Sequence, residues 1–158
     1  MASCRKQALI EAPVESVWEL LTDPVRGPEW DPDLLEVMGA PVEIRAGSTF
    51  ETTGRGPLGL KATSAFKVEE LDDLHEIKMR CQKSGYYVHW LLTPAQGNTF
   101  TELELGVQPL PGIQGRAMGA VFTGGFLRRT AENTLEALER AIGSGALFGR
   151  PGSRNPPN

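Results

Sequence analysis

The sequence has little of three things that mark common classes of protein: cysteine, histidine and excess positive charge. Its 158 residues include two cysteines, Cys4 and Cys81, and two histidines. Two isolated cysteines predict neither a disulfide framework nor a zinc site, and they favour a reduced, cytoplasmic location. Acidic residues outnumber basic residues by 20 to 16, and no basic stripe is present. A nucleic-acid partner is therefore not expected.

Long apolar segments are missing as well. No run approaches the ~20 apolar residues of a membrane-spanning helix, and the opening "MASCRKQ" lacks the apolar centre of a signal peptide. We therefore expect no integral contact with a membrane. A chain of this length predicts one domain that buries roughly 70% of its unfolded surface.

Cofactor motifs are absent or incomplete. The segment "GRGPLG", Gly54 to Gly59, matches the spacing of a dinucleotide-binding loop, but the following "LKATSAFKV" has the pattern of a strand where that loop needs a helix. His75 and His89 have no carboxylate or cysteine at the spacing of metal ligands, and no G-x-S-x-G elbow is present. The sequence therefore predicts no cofactor and no metal site, and it identifies no catalytic residue.

The N-terminal part predicts a strand followed closely by two short helices. In "RKQALIEAPVESVWELLTDPVRGPEW", the segment Arg5 to Glu11 is read as a strand, and Pro13 suits the first position of a helix. The helix is expected from about Val14 to Thr22, with an apolar face opposite two glutamates. A second short helix or turn is expected from about Val25 to Leu34, and it carries Trp30.

The middle of the sequence has the period of β-strands. From Glu36 to Leu110, turn signals separate about six segments, which predicts an antiparallel meander. In "NTFTELELGV", alternation predicts that one face is buried, formed by Thr99, Thr101, Leu103, Leu105 and Val107. The same alternation turns inward Tyr86, Val88, Trp90 and Leu92. It turns His89 outward, and we expect Cys81 to be a buried apolar residue.

The C-terminal part predicts one long amphipathic helix, from Ile113 to Ile142. Its first half contains four glycines, each of which costs about 1 kcal/mol relative to alanine inside a helix. The segment 143–158, "GSGALFGRPGSRNPPN", is rich in glycine and proline and is predicted to be a disordered tail. Residues 1–142 are then the predicted domain.

The order of these elements resembles the polyketide cyclase/dehydrase family of the START-like superfamily. The resemblance rests on "IEAPVESVWELLTDP", on the following Trp30-Asp31-Pro32, and on a meander with a terminal amphipathic helix; it covers about residues 5 to 142. It implies the α+β helix-grip fold, in which a seven-stranded antiparallel sheet wraps around a long C-terminal helix and two short helices follow strand 1. It also implies a deep cavity for polyketides, lipids or other hydrophobic molecules.

The resemblance and the strand alternation together give a set of expected ligand-binding residues. The segment "VHWLLTPAQGNTFTELEL" resembles strands of tetracenomycin-type aromatase/cyclases, whereas their tryptophan and arginine cluster is missing from "GLKATSAFKV". Arg116 is included because a position near the start of the closing helix would let it reach a ligand carboxylate or enolate. The expected set is Trp30, Leu34, Phe66, Met79, Tyr86, Trp90, Thr101, Leu103 and Arg116.

Three functions are compatible with this interpretation. The leading one is binding of a hydrophobic, polyketide- or lipid-like molecule, extended to cyclase/aromatase activity if Tyr86, Thr101 or Arg116 polarises a carbonyl. A sequestering or resistance protein would share the cavity without turnover. The third is a non-enzymatic interaction module similar to chaperone activators, which would have a filled core and an exposed apolar patch.

Overall fold

The structure is a computed structural model that describes residues 2–144, apart from the side chains at positions 118, 119 and 144. Of the predicted disordered tail, 143–158, the first two residues belong to the last helix, and residues from 145 on lie outside the described residues. The strands are β1 (Ala2–Ile10), β2 (Leu34–Met38), β3 (Thr49–Arg55), β4 (Lys61–Asp72), β5 (Glu76–Cys81), β6 (Tyr86–Ala95) and β7 (Asn98–Val107). The helices are α1 (Val14–Leu21), α2 (Gly27–Trp30), α3 (Ile113–Ala120) and α4 (Gly124–Ser144).

All seven strands belong to one antiparallel sheet in the order β1-β7-β6-β5-β4-β3-β2. The six strands from β2 to β7 form the predicted meander. The strand β1 adds to its β7 edge, with pairs from Ala2 opposite Val107 to Ile10 opposite Thr99. The helix α4 packs against β1 and β7. The predicted seven-stranded sheet with a long C-terminal helix is therefore confirmed.

The segment between β1 and β2 differs in detail from the prediction. Pro13 is not the first helical residue: its backbone is extended, and its carbonyl accepts the N–H groups of Ser16 and Val17, which places it at the N-cap. The predicted second helix from Val25 to Leu34 is shorter, because a 3₁₀ turn at Pro24–Arg26 precedes the four-residue α2. Leu34 already belongs to β2.

The predicted single helix from Ile113 to Ile142 is wrong, because the structure has two helices separated by three residues. Thr123 starts the second one: its hydroxyl accepts the N–H of Phe126 at 3.2 Å and its carbonyl accepts the N–H of Leu127 at 3.0 Å. This is an N-cap geometry, which satisfies backbone donors that a continuous helix would have paired internally. Gly124 and Gly125 thus lie at the start of α4 rather than in a helix interior.

The core lies between the inner face of the sheet and the helices α1 and α4. The β7 alternation is confirmed, since five side chains on its inner face are at most 2% exposed: Thr99, Thr101, Leu103, Leu105 and Val107. The apolar stripe of α4 meets this face with Leu127, Ala131 and Leu138 completely buried. None of the helices within residues 2–144 is long and apolar enough to span a membrane.

Candidate ligand-binding cavity

A cavity of about 210 Å³ remains between the sheet and the helices. Its walls come from α1, α2, the inner faces of β2 to β7, and the first part of α4 together with the break before it. These elements meet because α4 packs on the β1–β7 side of the sheet while α2 contacts β2, on the opposite edge. The space left between them is not filled by side chains.

Seven of the nine expected ligand-binding residues line this cavity. They are Trp30, Leu34, Phe66, Met79, Tyr86, Trp90 and Leu103. The strand residues among them are on the inner face, as alternation requires. Trp90 and Leu103 stand opposite each other on β6 and β7 and are 4% and 0% exposed, so they close the cavity at depth.

Thr101 and Arg116, which were expected beside these residues, do not line the cavity. Thr101 faces inward as predicted, but it is fully buried and its hydroxyl donates to the carbonyl of Thr99 at 3.4 Å. Alternation determines the face of a strand residue and says nothing about its position along the sheet. Arg116 is exposed on α3, so its guanidinium remains in solvent.

An aromatic row of five residues forms part of the cavity wall, and the sequence reasoning missed three of them. The rings of Phe50 and Phe66 are 6.1 Å apart, and that of Tyr86 is 6.2 Å from Phe66. Phe122 stacks on Tyr86 at 5.0 Å with the planes 16° apart, and Phe126 packs edgewise on Phe122 at 5.7 Å. We call these five residues the aromatic row.

The helix break brings Phe122 into this row. A residue at the centre of a continuous helix would continue the α4 stripe, whereas the break at residues 121–123 lets the Phe122 ring stack on β6. The available sequence signal was the "FTGGF" segment, in which a threonine followed by two glycines can end one helix and cap the next. The break therefore supplies part of the cavity wall.

A polar end of the cavity, formed by Asp31, Asp33 and Arg55, lies beside the start of β2. The Oδ1 atom of Asp31 accepts the backbone N–H of Asp33 at 3.0 Å, which fixes the turn between α2 and β2. The carbonyl of Asp33 accepts the N–H of Arg55 at 2.8 Å. Gly54 permits this contact, since a Cβ there would lie 2.7 Å from the Asp33 oxygen.

The electrostatics of this end favour uncharged groups. Burial raises the pKa of Asp31 to about 6, although the hydrogen bond from the Asp33 N–H opposes that shift. Burial also raises the pKa of Tyr86, and the negative charges of Asp31 and Asp33 add to that effect. The Tyr86 hydroxyl therefore stays protonated at neutral pH, while Asp31 changes charge close to neutrality.

A buried hydrogen-bond donor at this end has no partner. The indole Nε1 of Trp30 is inaccessible to solvent, and no acceptor among residues 2–144 reaches it. Buried polar groups are almost always hydrogen-bonded, because an unpaired one costs about 1–3 kcal/mol. Trp30 lines the cavity, so an acceptor on a bound molecule could satisfy this N–H.

The glycine-rich segment Gly54 to Gly59 is a connection between strands, as predicted. It comprises the end of β3 and a 3₁₀ turn at Pro57–Gly59, and β4 follows directly. Gly54, Arg55 and Gly56 line the cavity, so the segment borders the candidate site. Without a helix after the loop it lacks the N-terminal amides that hold a pyrophosphate.

His89 and Cys81 lie away from the cavity. His89 faces outward as predicted, but it is half-buried rather than solvated, with Nε2 2.6 Å from Glu76 and Nδ1 3.7 Å from Glu104. Cys81 is buried as expected, at 2% exposure. Burial raises the pKa of its thiol, but hydrogen bonds from Ser84, Lys83 and Ala65 together hold that pKa below the usual value.

The described residues do not form a metal-binding site. Among the residues that the structure describes, no three histidine, cysteine, aspartate or glutamate side chains are grouped so as to hold a metal ion.

The sheet order, the long C-terminal helix and the short helices after β1 define the helix-grip fold. Residues 1–143 match the family model described as polyketide cyclase/dehydrase and lipid transport, so the chain belongs to that family. None of the curated proteins compared with the chain matches it.

Solved structures share the fold at low sequence identity. One is TTHA0849 from Thermus thermophilus, with a TM-score of 0.69, 18% identity, and coverage of 91% of this chain and 99% of that one. A START superfamily protein from Mycobacterium smegmatis has a TM-score of 0.69, 17% identity, and coverage of 91% of this chain and 99% of that one. The ZhuI aromatase/cyclase from Streptomyces sp. R1128 has a TM-score of 0.67 and 14% identity, over 97% of this chain and 98% of that one.

Proposed function

We propose that this protein binds an apolar small molecule in the cavity between the sheet and α4. The observation that carries the proposal is the cavity itself, about 210 Å³ in volume and walled in part by the aromatic row. An apolar cavity of ~150 Å³ is enough to take benzene, so this one has room for a ligand core of one or two rings. The family, which includes lipid transport in its description, supports the same conclusion.

The driving force for binding would be the release of apolar surface from water, at about 25 cal/mol per Å². Stacking on the aromatic row adds about 0.5–1.5 kcal/mol for each well-placed ring pair. Trp90 and Leu103 are already buried by the protein's own packing, so these two side chains need little further ordering on binding.

A cavity-filling variant tests this proposal. Val88 lines the cavity, so Val88→Phe should fill part of it, whereas Val42→Phe adds the same ring at a fully exposed position. We expect naphthalene to bind the wild type and Val42→Phe equally, and Val88→Phe at least about tenfold more weakly, by calorimetric titration. Absence of naphthalene binding to the wild type, or equal binding to all three, would contradict the proposal. Native mass spectrometry of the purified protein would then look for a co-purified apolar molecule.

The alternative of a surface-acting interaction module has less support. That function predicts a filled core, whereas an unfilled cavity lies beneath α2 and α4. Large exposed apolar side chains do occur, including Leu58 and Val42, but scattered exposed apolar residues are ordinary on protein surfaces.

A cyclase-type activity is the second candidate, favoured by Asp31. A carboxylate whose pKa is about 6 is basic enough to accept a proton from the acidic carbon between two carbonyl groups, and the neutral Tyr86 hydroxyl can donate to the enolate oxygen. The test is deuterium uptake at that carbon in an aryl 1,3-diketone, followed by NMR. We expect the protein to accelerate uptake and Asp31→Asn to abolish the acceleration; equal rates with and without protein would exclude this role.

A further inference from the structure

The charged groups of the cavity restrict the chemical class of its ligand. The lining contains three aspartates, Asp23, Asp31 and Asp33, and one arginine, Arg55. Arg55 is exposed, whereas the three carboxyl groups are on half-buried residues. A ligand with a carboxylate at this end would face like charges in a partly desolvated site, which disfavours free fatty acids and other acids.

The hydrogen-bonding groups restrict the ligand further. The Trp30 indole N–H is a buried donor with no acceptor among the described residues. Asp31 uses Oδ1 to accept the Asp33 N–H, and no described donor forms a hydrogen bond with Oδ2. Trp30 thus has an unsatisfied donor, and its neighbour Asp31 has an oxygen that can accept a further hydrogen bond. Both residues line the same cavity.

Only some polar groups satisfy both requirements. An ammonium group donates but has no lone pair for the indole N–H, and a carboxylate accepts but has no proton for Asp31. A hydroxyl group does both, and it carries no charge. We propose that the ligand is a neutral apolar molecule with an alcohol or phenol hydroxyl, which donates to the Asp31 carboxylate and accepts from the Trp30 N–H. This inference rests on the proposed binding function of the cavity.

The position of Tyr86 agrees with this polar end. The charges of Asp31 and Asp33 both contribute to raising the pKa of Tyr86, so the two carboxyl groups and the phenol share one electrostatic environment. Tyr86 also stacks on Phe122 within the aromatic row. A flat ligand against this row would therefore have its ring next to aromatic side chains and its hydroxyl near the aspartates.

A matched series of ligands tests the proposal: naphthalene, 2-naphthol and 2-naphthoate, titrated calorimetrically near neutral pH. We expect 2-naphthol to bind about tenfold or more tightly than naphthalene, because two hydrogen bonds form, and 2-naphthoate to bind most weakly. Trp30→Phe keeps a ring but deletes the N–H, so it should weaken the binding of 2-naphthol several-fold relative to that of naphthalene. Asp31→Asn should reduce the preference for 2-naphthol over naphthalene, and it should strengthen the binding of 2-naphthoate because it removes a like charge.

The control is Trp18→Phe, since Trp18 is a tryptophan on α1 that does not line the cavity. It should leave the order of the three ligands unchanged. If naphthalene binds and 2-naphthol binds no more tightly, or if 2-naphthoate binds best, the hydroxyl proposal is overturned while the binding function stands. If naphthalene does not bind, the binding function fails, and the hydroxyl proposal, which rests on it, fails with it.

Discussion

Replacing Asp31 by asparagine should stabilise the protein at neutral pH, although it removes a group that we propose for ligand binding. Burial raises the pKa of Asp31 from its ordinary value of 3.8 to about 6, against the opposing effect of the Asp33 N–H. The ionised carboxylate is therefore disfavoured in the folded state. Asparagine has nearly the same shape and keeps an oxygen that can accept the Asp33 N–H, now at 3.0 Å from Asp31 Oδ1.

The size of the effect follows from the shift in pKa. Each pKa unit corresponds to about 1.4 kcal/mol, so a rise from 3.8 to about 6 corresponds to about 3 kcal/mol. Because the folded-state pKa is raised, the stabilisation is fully present below pH 3.8 and is lost as the pH rises through about 6. Asparagine does not titrate, so the variant escapes this loss. The free energy of unfolding of the variant minus that of the wild type should therefore rise by up to about 3 kcal/mol between about pH 4 and pH 8.

Urea unfolding, followed by tryptophan fluorescence at several pH values, measures this difference directly. The difference between the two curves isolates Asp31, because the other titrating groups are common to both proteins. Asp73→Asn is the matched control, since it makes the same change of side chain at an exposed position in the turn between β4 and β5, away from the cavity. A difference between Asp31→Asn and the wild type that does not change with pH would refute the reasoning, and so would a variant that is less stable near pH 8.

Three further substitutions test a buried hydrogen bond, a close backbone contact and the cavity wall. Thr99→Val removes a fully buried hydroxyl that donates to the Ala12 carbonyl at 2.8 Å, and it should lower the free energy of unfolding by about 1–3 kcal/mol; a change below about 0.3 kcal/mol would contradict this. Gly85→Ala should lower the free energy of unfolding by about 3 kcal/mol or more, or prevent folding, because φ is +79° and a Cβ would overlap the Gln108 carbonyl. A thermal midpoint equal to that of the wild type would exclude the predicted overlap. Phe122→Ala opens the aromatic row, so stopped-flow mixing should show faster release of naphthalene, and an unchanged rate would mean that Phe122 does not limit release.

Stability and binding are therefore expected to oppose each other at Asp31. A buried carboxylate that lacks a full set of hydrogen-bond donors destabilises the fold. Its oxygen without a donor can accept a hydrogen bond from a ligand hydroxyl. Groups that are unsatisfied in the free protein are common at functional sites, since natural proteins tolerate a local cost where function requires it. Asp31→Asn distinguishes the two effects, because it should raise stability and lower the preference for 2-naphthol.

The sequence by itself determined the features that depend on local periodicity. The alternation of β7 predicted its buried face, and the stripe containing Leu127 and Leu138 predicted the buried side of α4. Seven of the nine expected cavity residues line the cavity. Those expected from alternation do so because side-chain direction in a strand follows from the backbone alone, whereas Trp30 and Leu34 were expected from the family resemblance. The strand pattern after Gly54 to Gly59 also predicted that this glycine-rich segment connects two strands and is not a dinucleotide-binding loop.

Only the tertiary structure decided where the cavity begins and ends. Thr101 has the predicted orientation yet lies beyond the cavity, because position along a strand relative to α1 and α4 depends on how the layers pack. The break at Phe122 and its stacking on Tyr86 join segments far apart in the chain. The raised pKa of Asp31 and the unpaired N–H of Trp30 likewise arise from burial by distant elements. Periodicity reports what a residue's own backbone dictates, whereas desolvation and unmet hydrogen bonds are properties of the surroundings that folding brings together.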